Sequence, residues 1–339
     1  MEFDFTSLAS FTINQKAFLA TIILGIASGL LGAFVVVRRV ALVGDALSHA
    51  VLPGVVLGFI MCHMLGIDRN PWVIFSCAVV IGLLAAGMVR AIEATTRLKS
   101  DAALGIVLAS FFGLGLAMQS GLRDYIDNRS GIASYIYGNA SMISNDDLSA
   151  MFWSTLVLVL VVLILIRPLS VLSFDEGFAV ALGYPVKWLN FIFYTLLTLS
   201  VVVSMQAVGV ILVSALLITP AATAYLLTDR LNRLMLYAVG FAVASGLIGC
   251  YVSLFIETAD VPTGPLIALT AAIIFGVVYL VAPEHGVITK ALTVLRRRQR
   301  INRENTLKAI YKILENESFA HDGVGLNELA QVRRRSMEE

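Results

Sequence analysis

The chain has 339 residues, of which 58% are hydrophobic and only 14% charged, and its formal net charge is +1. Its mean hydropathy of +0.87 lies far outside the range of soluble globular proteins. Long apolar segments recur without alternation between Phe18 and Ala282, which excludes a β-barrel and reads as an all-α, polytopic membrane protein.

The first fifteen residues carry Glu2 and Asp4 and no basic stretch, so no cleavable signal is expected there. Phe3, Phe5, Leu8 and Phe11 supply one apolar side, either for a short interfacial helix or for a frayed terminus. Roughly nine apolar segments follow, each near the ~20 residues that a span requires. They run approximately over 17–37, 40–62, 72–92, 102–120, 150–166, 188–206, 208–227, 234–256 and 264–282. The junction at Gln206–Gly209 is so tight that segments six and seven can contain one broken or re-entrant element, which leaves roughly eight or nine spans. Cys62, Cys77 and Cys250 are scattered through the segments without C-x-x-C spacing and read as small buried hydrophobes.

Alternation of the spans collects Arg38, Arg39, Arg90, Arg97, Lys99, Arg167, Lys187, Arg230 and Arg233 on one side. Only Lys16, Arg69, Arg123 and Arg129 fall on the other. By the positive-inside rule the first group is cytoplasmic, with the amino terminus outside and the carboxyl terminus inside.

The second segment holds Gly44-Asp45-Ala46-Leu47-Ser48-His49-Ala50-Val51-Leu52-Pro53-Gly54, and Asp45 is the sole formal charge between Val40 and Met61. A charge at membrane depth costs at least ~2.5–3.5 kcal/mol, so such residues usually face a bundle interior and mark a pathway. Asp45 and His49 are one helical turn apart on one face. Pro53 has no N–H to offer the carbonyl of His49, four residues earlier. A carboxylate, an imidazole and a freed carbonyl suit a divalent transition metal. The alternative is structural: Asp45 paired with Arg38 or Arg39 at the membrane surface, and His49 bonded to a neighbouring helix.

Gly121–Ser149 is long and polar and offers a docking loop on the outer side. On the inner side, Ser173 followed by Glu176 has capping-box spacing, and Gly183 with Pro185 forms a helix stop. A short helix of roughly two turns, about Asp175 to Leu182, is expected between them at the cytoplasmic surface. By sequence alone it is either a lever that meets a cytosolic partner or an ordinary amphipathic connector.

Several stretches resemble, in order, the permease subunit of the bacterial ABC-type manganese/zinc/iron uptake systems, the ABC-3 family. They are Arg38-Arg39, the Gly44–Gly54 motif, Leu104-Gly105-Ile106, Phe174 to Gly183, Val208–Val213, Thr219–Ala224 and Asp260–Pro265, spread over residues 16–285. The resemblance implies an ABC-importer permease fold and a complex of two permeases and two separate ATPases in the bacterial cytoplasmic membrane. An extracytoplasmic metal-binding protein would feed it. It implies that Asp45 and His49 contact the transported metal, and that Asp175, Glu176, Phe178, Ala179, Leu182 and Gly183 form the coupling helix on the ATPase. No permanently bound cofactor is implied; the divalent ion, manganese, zinc or ferrous iron, is cargo. The second permease can be an identical copy or a paralogue.

The chain carries no Gly-Lys-Ser/Thr phosphate loop and no metalloprotease-like histidine spacing, so it is read as a permease and not an enzyme. A secondary, ATP-independent metal carrier is the alternative. It would need inverted repeats with paired broken helices, of which only the Pro53 and Pro220 segments give a hint.

These features divide the chain into a permease domain, 1–289, and a basic cytoplasmic tail, 290–339. The tail has eleven Lys/Arg against seven Asp/Glu. An amphipathic helix over Asn305–Asn316, with Leu307, Ile310, Tyr311 and Leu314 as its apolar face, and a second short helix at Leu326–Val332 are expected in it. This helix–loop–helix faintly resembles the opening of a winged-helix regulator. Nucleic acid is nevertheless not expected as a partner; anionic membrane lipid or the ATPase is.

Overall fold

A computed structural model of the chain describes residues 13–121, 135, 138, 143–255, 262–283, 286–316, 325 and 329. The expected amino-terminal interfacial helix, most of the loop within 121–149 and the helix expected at Leu326–Val332 lie outside the described residues. The described elements are helical throughout. They divide into two compact units at Val278/Tyr279.

The first helices are α1 (Ile13–Val37), α2 (Ala41–Ala50), α3 (Leu52–Met64), α4 (Pro71–Thr95) and α5 (Ser100–Gly121). Then come α6 (Asn145–Ile164), two short helices α7 (Ile166–Phe174) and α8 (Glu176–Ala181), and α9 (Val186–Val208). The remainder are α10 (Val210–Tyr225), α11 (Leu231–Phe255), α12 (Thr263–Val281) and α13 (Val287–Asn316). Counting α2 and α3 as one interrupted span, 8 of the described segments are long and apolar enough to cross a membrane. The chain is thus a multi-pass membrane protein.

The tight junction between segments six and seven falls at Gly209. Its φ of 86° and ψ of 155° end α9 in a backbone region that is essentially reserved for glycine. Gly138, at the end of the bundle that holds Arg69, rests directly on Val208 and Gly209. At the other end, Tyr225 and Asp229 line a cleft with Arg38, Arg39, Ser173 and Phe174. The 16-residue α10 therefore carries the chain back from the Arg69 end to the Arg38 end. It is shorter than any of the 8 candidate spans, and it runs through Pro220 without a break.

Small residues set the packing of the centre. A methyl group on Gly29 would lie 2.6 Å from the Val239 Cα, and one on Gly32 would lie 2.1 Å from the Leu217 carbonyl oxygen. These glycines let α1 lie against α11 and α10 at backbone contact, the usual route to close helix association in lipid. The buried apolar side chains form two clusters. One, toward Arg38, includes Phe34, Leu47, Ala50 and Leu158; the other, toward Arg69, includes Val51, Phe59, Tyr135 and Met151. The boundary between them coincides with the α2–α3 break at Ala50/Val51.

In the second unit, α13 is one 30-residue helix, longer than the segment expected from Asn305. Its buried positions are Ala309 and Ile313, whereas Leu307 and Tyr311 are each 59% exposed. The apolar letters of this stretch admit two overlapping faces a fraction of a turn apart. The face through 309 and 313 is the buried one, not the face through 307 and 311.

Candidate metal site and coupling segment

The α1–α2 turn places the motif. Val40 N donates to Val35 O at 3.1 Å and Arg39 N to Val36 O at 3.1 Å, with Arg39 at φ 57°. This is the paired bonding of a Schellman motif, closed here by an arginine in place of the usual glycine. It sets a rigid corner from which α2 starts. Val43, Gly44, Ala46, Leu47, Ser48 and Ala50 turn into the bundle. Leu42, Asp45 and His49, spaced by three and four residues, occupy the remaining face.

On that face His49 Nε2 and Asp45 Oδ1 are 3.9 Å apart, with side chains 19% and 40% exposed. The separation is too long for a hydrogen bond, so neither donor pair is consumed by the other. Two ligands each about 2.1 Å from one ion stand about 3–3.5 Å apart, so a small side-chain adjustment brings both onto a shared cation. The Phe112 ring of α5 meets the imidazole edge-on at 5.0 Å. His49 Nδ1 is buried and has no hydrogen-bond partner among the described residues.

The alternative pairing with arginine is absent among the described residues: Arg38 turns to Asn190 at 2.7 Å, and no ion pair joins Asp45 to Arg39. The pair is only partly enclosed by its own bundle, His49 more so than Asp45.

One expectation at this site is corrected. Pro53 does sit in the first turn of α3, but the His49 carbonyl is not left free: a backbone N–H at the Val51 cap bonds it. The chain absorbs the missing donor by tightening the last turn of α2, a common device at helix ends. Two side-chain donors, and no group of three or more His, Cys, Asp or Glu among the described residues, are what one copy offers a metal.

The segment expected to couple is α8, a helix of 6 residues and so slightly shorter than Asp175–Leu182. Its cap is not the Ser173–Glu176 box. Asp175 Oδ1 accepts from Phe178 N at 3.0 Å, while Ser173 Oγ donates to Leu169 O within α7. Serine in a helix interior bonds backward in this way, which frees the next oxygen-bearing residue to cap. Gly183, at φ 80°, ends the segment as expected.

Ala179 is fully buried beneath α8, and Phe174, Phe178, Val180 and Leu182 are each more than half exposed. Glu176 does not point away toward a partner: its Oε1 accepts from Asn190 Nδ2 at 3.1 Å.

Residues that the motif reading passed over complete the picture. Asn190, 6% exposed, joins Arg38 to Glu176. Arg69 and Asp147 form an ion pair at 2.8 Å at the opposite end of the bundle. An asparagine inside segment six and an acid at the mouth of segment five were the available signals, since either must find a partner when buried.

A model of the ABC 3 transport family matches residues 10–282. The manganese transport system membrane protein MntC of Bacillus subtilis is 35% identical over 307 residues, covering 90% of this chain and 69% of that one. The chelated iron transport system membrane protein YfeC of Yersinia pestis is 33% identical over 284 residues, 84% of this chain and 91% of that one. Among solved structures, PsaBC from Streptococcus pneumoniae in complex with Fab superimposes with a TM-score of 0.73 at 34% identity. The match covers 87% of this chain and 99% of that one.

Proposed function

The chain belongs to the ABC 3 transport family, and on that premise we propose that it is the permease subunit of an ATP-driven importer of divalent transition-metal ions. ATP hydrolysis resides on separate ATPase subunits, and the permease spans the cytoplasmic membrane with the Arg38 end inside. The relatives named for manganese and for chelated iron support a metal cargo in this range.

The observation that carries the reading is the Asp45–His49 pair, unconsumed by each other at 3.9 Å and partly exposed. A carboxylate oxygen and an imidazole nitrogen are a mixed donor set that suits Mn²⁺, Fe²⁺ and Zn²⁺ alike. Two copies, or this chain and a paralogue with the same motif, facing each other across a two-fold axis would present two carboxylates and two imidazoles. Two carboxylates neutralise a divalent charge at a depth where an uncompensated ion is very costly. Because each chain supplies half of such a set, a rocking motion of one against the other assembles or dismantles it. Cargo can then be released, unlike a metal held in a structural cage.

In this reading α8 docks on the ATPase through Phe174, Phe178, Val180 and Leu182, and an extracytoplasmic metal-binding protein delivers the ion at the Arg69 end. The test is elemental analysis of metal-limited cells that lack other importers and express the intact transporter. Accumulation of manganese, iron or zinc that vanishes with Asp45→Asn and with an ATPase deficient in hydrolysis supports the proposal. Accumulation that survives loss of ATP hydrolysis identifies a secondary carrier and rejects it.

A further inference from the structure

We propose that Asn190 is a positioning residue that transmits motion of α8 to the helix carrying Asp45 and His49, through a hydrogen-bonded chain Glu176–Asn190–Arg38; the inference rests on the transport reading above.

The chain is continuous. Glu176, first residue of α8, accepts from Asn190 Nδ2 at 3.1 Å. Asn190 Oδ1 accepts from Arg38 Nη2 at 2.7 Å. The polarity is unambiguous, because a guanidinium only donates and a carboxylate only accepts, so the amide has one orientation that satisfies both. Asn190 is buried at 6% exposure, where these bonds face little competition from water.

Each end of the chain is anchored on a rigid piece. Arg38 stands at the Schellman corner, two residues before Val40, which is the N-cap of α2. Its guanidinium also lies 4.3 Å above the Phe193 ring, one turn beyond Asn190 on the same face of α9. The first turns of α9 thus grip the corner from which the metal-bearing helix departs. Asp175, one residue before Glu176, caps α8, so the carboxylate moves with α8 as a body. Displacement of α8 therefore either pulls on the Arg38 corner or breaks one of two identified bonds.

The state described also has a defect where a switching element would have one. Arg38 Nη1 is buried and has no hydrogen-bond partner among the described residues. An unmet donor on a charged group is expensive, so the arrangement gains from a second geometry in which that nitrogen finds an acceptor. Arg90 lies close by, over the Tyr194 ring at 4.5 Å. That second cation beside Arg38 sharpens the dependence of this corner on Glu176, the carboxylate at the end of the chain.

A mere staple would fix α8 in place without altering how efficiently hydrolysis drives transport. The experiment therefore reads that efficiency. The whole transporter, with its ATPase and binding protein, is reconstituted in vesicles, and Mn²⁺ accumulated per ATP hydrolysed is measured. Asn190→Leu keeps the branching at Cγ and removes both bonds; the ratio is expected to fall about tenfold or more, the scale of an ordinary coupling between sites. Asn190→Asp alone keeps an acceptor for Arg38 but sets a carboxylate against Glu176, and it should also uncouple.

Combining Asn190→Asp with Glu176→Gln reverses the polarity of the second bond, so the new amide donates to the new carboxylate. Most of the wild-type ratio should return. If Asn190→Leu does not assemble, the aspartate variant and the double variant decide: loss followed by recovery supports the chain. A wild-type ratio in Asn190→Asp, or no recovery in the double variant, overturns it. Failure of the wild-type complex to accumulate Mn²⁺ overturns the transport reading and this inference with it. Wild-type transport with an unaltered ratio in the Asn190 variants overturns this inference alone.

Discussion

Arg69 Nη2 sits between the two carboxylate oxygens of Asp147, 2.9 Å from Oδ1 and 2.8 Å from Oδ2. Asp147 is wholly buried and is also half of a capping box with Ser144 at the start of α6. The guanidinium further lies 5.4 Å from the Tyr135 ring, which stacks edge-on against Phe59. One ion pair thereby ties the α3–α4 loop, α6 and residue 135 together. Arg69→Ala strands a buried carboxylate, and removal of one partner of a buried pair typically costs about 3–5 kcal/mol. The variant should show a clearly lower melting temperature in detergent. Replacing Asp147 as well, by Asn, should recover part of the loss, because no charge is then left unpaired.

Asp45→Asn and His49→Ala each remove one of the two side-chain donors that the proposed site has among the described residues. Both variants should insert and accumulate normally, since neither change makes the span less apolar, while metal uptake falls to background. Uptake at the wild-type rate, with protein at the wild-type level, would remove these residues from the path.

Gly209→Ala adds a side chain to a backbone at φ 86° and ψ 155°, a region that costs on the order of 1–3 kcal/mol for other residues. Gly138→Ala meets the same joint from outside, with its new carbon placed 2.1 Å from the Val208 carbonyl carbon. The two substitutions should each lower thermal stability. Together they should cost less than the sum of the singles, because either one already forces the joint open. Strict additivity in a melting series would show that the contacts are independent.

Ala179→Pro removes the bond from Ala179 N to Asp175 O, 3.1 Å long, and places a ring in the buried side of α8. A proline in a helix interior costs about 3 kcal/mol or more. If α8 carries ATP-driven motion, the variant complex should hydrolyse ATP yet fail to concentrate metal inside vesicles. Normal transport by an assembled complex would show α8 to be a passive connector.

The spans and the adjacency of Asp45 and His49 were legible in the letters because both depend on local rules. Apolar run length measures bilayer thickness, and a turn of helix brings Asp45 beside His49. What was not legible depended on partners far along the chain. Ser173 has the right spacing for a capping box, yet its hydroxyl is taken by Leu169, a choice made by where α7 ends.

Likewise Pro53 predicts a free His49 carbonyl only if the helix keeps its α-helical geometry, and a tightened turn removes that premise. Asn190 looks like any polar residue near the start of a span; its role appears only when Arg38, 152 positions away, is brought to it. The tail helix shows the limit of periodicity itself, since of the expected stripe Leu307 and Tyr311 stay exposed while Ile310 and Leu314 are half-buried beside Ala309 and Ile313.

The shortness of α10 bears on how the protein is made. At about 1.5 Å per residue, its 16 residues extend about 24 Å, less than the ~30 Å of the hydrocarbon layer. At its start the Gly209 N–H bonds Met205 O at 2.8 Å and the Gly209 carbonyl accepts from Leu212 N at 3.2 Å, as backbone at membrane depth requires, and Gly138 rests on this joint. The ribosome delivers residue 138 before residue 209, so the seat for this joint is synthesised before the joint itself. α1, synthesised first of all, packs along α10, and α11, synthesised next, closes over it. An element too short to partition by itself thus arrives late, between a floor already laid and a wall that follows at once.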